Sequence, residues 1–361
     1  MQVAITTTTG IIHNFRLLLI WIAYFATCIQ YFLSWHFDES DTILRYGIAI
    51  CIILSFDYNK WDKFKIFLFI FLPIALILRR FLIVWSLFSL IYQIDQLRIS
   101  IRKLSIFAIS ILIVEIFIQV ETILLGIIEN VGIRYIKSKV LVYDLGTGNA
   151  NRASSLFFNF SLFSYIIFRN KQQYLFVIAT LLSSVIGFYI TGSRTLLACS
   201  ALLLILALGY WHRWFKNWMK YAIALLPIIF FIATFYLAYN SELNNNLNEI
   251  ASGRLWYIVK FTQEFTIKDW IIGAPRTIDE PLDSAYLEII HTGGIILAIL
   301  FCLSFFLSIS KYYNKLLSYI PVLIVIMLGG FTESIILRPS NLSIIFWMLT
   351  FFAIIKPRPI I

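Results

Sequence analysis

The chain has 361 residues, of which 60% are hydrophobic and only 13% are charged, whereas roughly 25% of residues are charged in an ordinary soluble domain. Apolar stretches long enough to cross a bilayer recur from end to end, so the composition excludes a soluble protein and predicts an all-α polytopic integral membrane protein. The net charge of +10 is explained by lysine and arginine in loops that set topology, and no nucleic-acid partner is expected.

Twelve membrane spans are predicted, with both chain ends in the cytoplasm and a single membrane domain over residues 1–361. The spans lie near residues 15–35, 42–56, 64–78, 81–95, 104–125, 155–168, 173–190, 195–211, 219–239, 285–309, 316–337 and 341–355. The third and fourth are short and flank Arg79 and Arg80. One long bent helix there would invert everything downstream, but the distribution of basic residues over the later loops favours a helical hairpin.

Two outer segments, residues 126–154 and 240–284, are long enough to carry chemistry, and the second is the large loop between the ninth and tenth spans. Within it, residues 255–265 have the pattern of a helix lying on the outer leaflet. Arginine is frequent on this side of the predicted topology, and its guanidinium matches phosphate and carboxylate geometry. The pattern therefore predicts a site for an anionic, phosphorylated substrate, lined by arginines at the outer ends of spans: Arg79, Arg80, Arg152, Arg194, Arg254 and Arg338.

Nothing in the sequence indicates a cofactor or a metal. The four cysteines lie inside apolar runs and form no C-x-x-C pair, so neither a disulfide framework nor a zinc site is expected. The chain has no G-x-x-x-x-G-K-[ST] loop and no H-E-x-x-H spacing, so neither ATP hydrolysis nor metal-assisted hydrolysis is indicated.

Three arginines have distinctive local settings. Thr191–Gly192–Ser193–Arg194–Thr195 is a tight outer turn whose hydroxyls could cap the next helix or reach a phosphate. Ser252–Gly253–Arg254 opens the predicted interfacial helix, where backbone N–H groups and a guanidinium would make an anion site. Arg152 stands where the first long loop re-enters the membrane. An ordinary interfacial or solvated arginine is the alternative interpretation at each position.

Ionisable groups near the tenth span are candidates for proton transfer. Asp283 could accept a proton from a sugar hydroxyl, or could simply cap the helix that follows. His291 could take part, or could only hydrogen-bond to Glu288 three residues earlier. Carboxylates within or near spans should face the bundle interior or a wet cavity, because inserting a charge into lipid is costly. They are Glu115, Glu121, Glu288 and Glu333.

Taken in order, these motifs resemble those of the superfamily of bacterial lipid-linked glycan polymerases and ligases, which includes the O-antigen polymerases and the O-antigen ligases. About 150 residues carry the resemblance. The matching pieces are Asn151–Arg152–Ala153, Thr191–Gly192–Ser193–Arg194–Thr195, Ser252–Gly253–Arg254, Gly273, Asp283–Ser284–x–Tyr286–Leu287 and Gly294.

The resemblance implies an inverting, metal-independent glycosyltransferase in the bacterial inner membrane, with its site facing the periplasm. Such enzymes take a saccharide from an undecaprenyl diphosphate carrier. By this analogy Arg194 and Arg254 would hold the diphosphate, with Arg152 as a further contact, and the outer Arg338 is a fourth candidate. The implied partners are the lipid-linked oligosaccharide, membrane lipid, a chain-length regulator and a flippase.

The chain departs from the ligases at Asp283–Ser284, where ligases typically carry a His-Asn pair. This favours a polymerase of O-antigen or capsular polysaccharide, and it leaves the base open among Asp283, His291, Glu249 and no side chain at all. The alternatives are a ligase that transfers glycan to lipid A–core and, in a different class, a lipid-linked oligosaccharide flippase or other transporter. One-sided arginines and a single large, motif-bearing loop favour an enzyme over a transporter.

Overall fold

The computed structural model describes the backbone of residues 2–36, 40–77, 80–127, 132–134, 141–143, 145, 150–241, 254–274, 284–331 and 341–351. Within these ranges, five helical segments are long and apolar enough to cross a membrane: Ile11–Ile29, Ile101–Leu124, Gln173–Thr191, Arg194–Trp211 and Ala285–Gly329. The predicted class, a helical polytopic membrane protein, is confirmed in this form. The count of twelve spans and the sidedness of the loops stay predictions.

The chain divides into two compact units, one of residues 1–200, 339–344 and 361, the other of residues 201–338 and 345–360. The helices of the first unit are α1 (Gln2–His36), α2 (Ser40–Ser55), α3 (Lys63–Ile77), α4 (Arg80–Gln96), α5 (Ile101–Leu124), α6 (Ala150–Phe168), α7 (Gln173–Thr191) and the first part of α8 (Arg194–Trp211). An antiparallel ribbon of β1 (Gly132–Arg134) and β2 (Leu141–Tyr143) in the first long loop is the one addition to the all-α prediction in the described ranges.

The predicted hairpin between the third and fourth spans is present. The indole Nε1 of Trp85 donates to the carbonyl of Leu68 at 2.8 Å, and the Tyr92 hydroxyl donates to Asp62 Oδ2 at 2.9 Å. In one straight helix residues 68 and 85 would be about 25 Å apart, so α3 and α4 fold back on each other. They have 15 and 17 residues, short of the roughly 20 that a membrane crossing needs, and their crossing stays a prediction.

The loop before α3 is held by a buried lysine. Lys65, in the first turn of α3, is only 1% exposed. Its Nζ lies 4.6 Å from the centroid of the Trp61 ring, with two further aromatic rings within 5.6 Å. It also donates hydrogen bonds to the backbone carbonyls of Asp57 and Lys60. This lysine therefore organises the loop in addition to carrying charge.

The intramembrane acids divide into two kinds. Glu115, in the middle of α5, is buried at 5% exposure, as predicted for a carboxylate inside a span. Glu121 is exposed near the end of the same helix, so its predicted inward position is wrong. A carboxylate close to a helix end can reach the interfacial region, which removes the need for a buried partner. Glu333 lies outside the described residues.

The second unit contains the rest of α8, α9 (Met219–Ala224), α10 (Leu226–Ser241), α11 (Arg254–Gln263), α12 (Ile267–Ile272), α13 (Ala285–Leu316), a 3-10 turn (Leu317–Tyr319), α14 (Ile320–Gly329) and most of α15 (Asn341–Thr350). Two predicted spans differ. The span at 219–239 is interrupted at Leu225, where Pro227, which has no N–H, takes the favourable position in the first turn of a new helix. The predicted loop at 310–315 is helical and belongs to α13, which departs from helical angles at Gly294 and Tyr312.

Candidate functional site

Arg194 stands at a turn whose other polar groups are already used. α7 ends at Gly192, which has the left-handed φ of 64° that favours glycine. The buried Ser193 hydroxyl accepts from the backbone N–H of Leu196 and caps α8, and the Thr191 hydroxyl accepts from the N–H of Ser193. Of the two roles predicted for these hydroxyls, the structure shows capping. Arg194 is exposed and makes no hydrogen bond or ion pair with another described residue.

Arg152 lies at the same end of the first unit as Arg194. α6 and α7 pack closely, with the hydroxyls of Ser161 and Ser183 2.6 Å apart, and a Cβ on Gly187 would lie 2.7 Å from the Phe157 ring. These two contacts define an antiparallel register. Extending it by five residues from Phe157 and Gly187 brings the backbone of Arg152 level with Gly192. The two arginines that the sequence placed in separate motifs thus start from neighbouring helix ends.

Arg254 is the first residue of α11, as predicted for the helix after Ser252–Gly253. The apolar face of α11 does not lie free on a membrane surface as expected. Its residues Leu255, Ile258 and Val259 are at most 4% exposed and form a buried cluster with Ala238 of α10 and Leu287 of α13. We call this the Leu255 cluster. Residues of α10 and α13 pack against the start of α11 in this cluster. This packing holds the backbone of Arg254 in a fixed position.

The first turns of α11 and α13 both contribute to this cluster, through Leu255 and Leu287 respectively. Ser284 is the N-cap residue of α13. Asp283, one residue earlier in the chain, lies outside the described residues, so both interpretations of it stay predictions. The Ser284 hydroxyl is buried at 2% exposure and has no hydrogen-bond partner among the described residues. Sequence reasoning missed this group because a serine before a helix ordinarily caps it.

Gly273 and Gly294, two glycines of the matching motifs, lie where α12 crosses α13. The N–H of Ala274 donates to the carbonyl of His291 at 2.9 Å. Gly273 has a φ of 87°, and a Cβ on it would lie 2.7 Å from the His291 carbonyl oxygen. Gly294 has a φ of 63°, and its Cβ would lie 2.2 Å from the carbonyl oxygen of Ile271. The close backbone contact requires glycine at both positions. The backbone carbonyl of His291 thus has a structural role, which is separate from the proton transfer predicted for the His291 side chain.

The remaining site predictions are only partly accessible to the structure. Asp283 and Arg338 lie outside the described residues, and for Arg152 and Arg254 the backbone is described but not the side chain. The His291 ring is half-buried, with its centroid 6.2 Å from that of Phe265. Within the part of the chain that the structure describes, no group of three or more His, Cys, Asp or Glu side chains could hold a metal ion. Arg152 and Arg194 belong to the first compact unit, and Arg254 and His291 belong to the second.

Comparisons with known proteins add no relative: no protein-family model, no curated protein and no solved structure matches the chain. The class is therefore defined by the fold and the site alone. The chain is a helical polytopic membrane protein in which several arginines begin helices or lie beside helix ends.

Proposed function

We propose that this chain is a polysaccharide polymerase of the bacterial inner membrane with its site open to the periplasm. It would transfer a growing glycan from undecaprenyl diphosphate onto the next lipid-linked repeat unit of an O-antigen or capsule. The observation that carries the proposal is that the first turns of α11 and α13 contribute to one buried cluster, the Leu255 cluster. Arg254 begins α11, and the buried Ser284 hydroxyl, which has no hydrogen-bond partner among the described residues, stands at the N-cap position of α13.

This arrangement suits a diphosphate. A helix N-terminus has N–H groups without intrahelical partners and a partial positive charge, so it favours an anion. A guanidinium adds a fixed fork of donors. In the transfer, an acceptor hydroxyl attacks the anomeric carbon as the bond from that carbon to the diphosphate oxygen breaks. Donors at Arg254 and Ser284 would stabilise the charge that builds on the departing diphosphate.

The proton of the acceptor hydroxyl needs a destination. Asp283, one residue before Ser284, is the first candidate, and His291 and Glu249 are the others. The sequence resemblance, and not the geometry, adds Arg152, Arg194 and Arg338 to the proposal as further candidate diphosphate-binding residues. The reaction uses no metal. A flippase would supply the lipid-linked repeat unit, and a chain-length regulator would limit its extension.

The test is extension by the purified full chain in lipid nanodiscs, supplied with a single-repeat undecaprenyl diphosphate substrate from its own host. We expect a ladder of longer lipid-linked glycans, and we expect Arg254→Ala to slow it by about a hundredfold or more, as for loss of one donor to a developing anion. Arg102→Ala is the matched control, because Arg102 is exposed in the first turn of α5 and lies on the predicted cytoplasmic side. Its ladder should be unchanged.

The other outcomes identify the rivals. Transfer only after lipid A–core is added would make the chain a ligase. No product with either acceptor, together with movement of the lipid-linked oligosaccharide across sealed vesicles, would make it a transporter. A full ladder from Arg254→Ala would remove Arg254 from the site.

A further inference from the structure

The second unit contains an apolar groove of about 800 Å³ between α10 and α13, within the roughly 300–1,000 Å³ range of small-molecule sites. One wall is formed by α10, through residues such as Ile232 and Phe235, and the other by α13, through residues such as Ile295, Ile299 and Cys302. Lining residues of α13 stand on both sides of Gly294, where the helix departs from helical angles, so the sequence pattern of a regular helix does not predict this groove.

The groove opens sideways. Ile232 and Ile299 are 63% and 59% exposed although they line it, and α13 begins one of the segments able to cross a membrane. A ligand would therefore enter from the hydrocarbon region of the bilayer. Polar side chains occur only at the end of the groove formed by the last turns of α10 and by α12, namely Tyr236, Tyr239, Asn240 and Trp270. Tyrosine and tryptophan are typical of the membrane–water interface, so this end is the one that faces the head groups.

The polar end is joined to the candidate anion site. Phe235 lines the groove and also packs against the Leu255 cluster. The Tyr239 hydroxyl donates to Thr262 Oγ1 at 3.1 Å. Thr262 lies on α11 eight residues after Arg254, which is about 12 Å along the helix axis. A molecule with an anionic head at Arg254 could therefore place its chain in the groove.

Charge at this end favours an anionic head group. Arg254, Lys260 and Lys268 are the basic residues of α11 and α12. Of the acids in the same stretch, Asp269 is engaged in the capping box of α12 with Thr266, and Glu264 is exposed. A lone hydrocarbon would gain little from the groove, since membrane lipid is equally apolar. The contact of the head group with the basic end would decide which lipid occupies it.

We infer that this groove binds the isoprenoid chain of the lipid diphosphate, with the units nearest the diphosphate at the Tyr239 end. The inference rests on the proposed function for the identity of the head group. The groove orients the carrier so that its diphosphate reaches the starts of α11 and α13, and it keeps the carrier in place between successive transfers.

The test uses the full chain in nanodiscs and a short polyprenyl diphosphate with a photoreactive diazirine on its second isoprene unit. Adducts are mapped by mass spectrometry, with no acceptor present, so the result does not depend on turnover. Ile299→Trp would fill the groove, and Leu300→Trp is its matched control, because Leu300 is 56% exposed on the same helix and does not line the groove. Both variants are checked for monodisperse elution.

We expect adducts on groove-lining residues of α10 and α13, displaced by unlabelled polyprenyl diphosphate but not by phosphatidylglycerol. Ile299→Trp should lower the yield by about tenfold, equivalent to roughly 1.4 kcal/mol, and Leu300→Trp should leave it unchanged. Adducts elsewhere on the unmodified chain, or equal displacement by phosphatidylglycerol, would overturn the inference whether or not Ile299→Trp folds.

The two proposals fail differently. Adducts in the groove without a glycan ladder in the polymerisation assay would leave the groove site standing and reject the polymerase. A glycan ladder together with adducts outside the groove would support the polymerase and reject the groove as the site of the isoprenoid chain.

Discussion

Replacing Gly294 with alanine should lower the thermal stability of the protein far more than the same replacement at Gly47. Gly294 has φ 63° and ψ −162°, a conformation open almost only to glycine, and imposing it on alanine costs about 1–3 kcal/mol. The added Cβ would also lie 2.2 Å from the carbonyl oxygen of Ile271 and 2.3 Å from its carbonyl carbon. Forcing these backbones apart costs about another 1–3 kcal/mol, which makes roughly 2–6 kcal/mol in total.

Two other glycines serve as controls for this measurement. A Cβ on Gly47, inside α2, would meet nothing within 4 Å, so Gly47→Ala should be neutral or stabilising by about 0.5–1 kcal/mol. A Cβ on Gly293 would lie 2.6 Å from the Cβ of Leu297, which side-chain rotation does not move, so Gly293→Ala should also destabilise the protein. Gly293 has no positive φ to maintain, so its loss should be smaller than that of Gly294→Ala.

The assay is the midpoint of thermal unfolding in detergent, followed as loss of the monodisperse peak on size-exclusion chromatography. At about 2–4 °C per kcal/mol for a domain of roughly 150–250 residues, Gly294→Ala should melt at least 4 °C or so lower than the unmodified protein. If it melts no lower than Gly293→Ala, then α12 and α13 do not cross as closely as described, and the account of Gly273 and Gly294 is wrong.

Two further predictions concern single basic side chains. Lys65→Met should destabilise the protein by about 2–4 kcal/mol, because it removes the cation from its aromatic rings and leaves two carbonyls without their donor. The control, Lys63→Met, replaces an exposed lysine and should not change the melting midpoint. Equal midpoints for the two variants would refute a stabilising role for the buried lysine. Arg194→Lys should slow glycan extension by about tenfold or more, because lysine keeps the charge but loses the planar fork, without lowering the melting midpoint. Full activity would mean that a point charge suffices there.

The sequence predicted well where several helices begin, end and turn. The turn from α7 to α8 follows from a glycine after a long apolar run and a serine just before the next one, and both helix ends were placed within about one residue. The hairpin of α3 and α4 followed from the distribution of basic residues over later loops. The start of α11 at Arg254 followed from Ser252–Gly253. In the first and third cases the decisive groups are neighbours in the chain, whereas the hairpin followed from a rule that applies to the whole topology.

Features that depend on distant parts of the chain were missed. Gly294 lies in a helix and needs its unusual backbone only because residues 271–274 cross it. Lys65 was missed for a different reason: the three aromatic rings around it are close in the chain, but nothing in their spacing says that the loop folds over the lysine. The face of α11 with Leu255 was assigned to lipid because amphipathicity alone does not say which apolar surface will cover it. The groove required both the kink and the placement of α10 beside it.

The register of α6 on α7 has a consequence for how such a protein can diversify. The backbones of Arg152 and Arg194 are related through Ser161, Ser183 and Gly187, all inside packed helices. The spacing of the two arginine backbones is therefore set by packing inside the helix pair. In the proposed function, this pair would hold the invariant carrier at its end, while the long segment before α6 would be where the chain varies to suit a new sugar. Retention of the carrier and recognition of the glycan would then belong to separate parts of the chain.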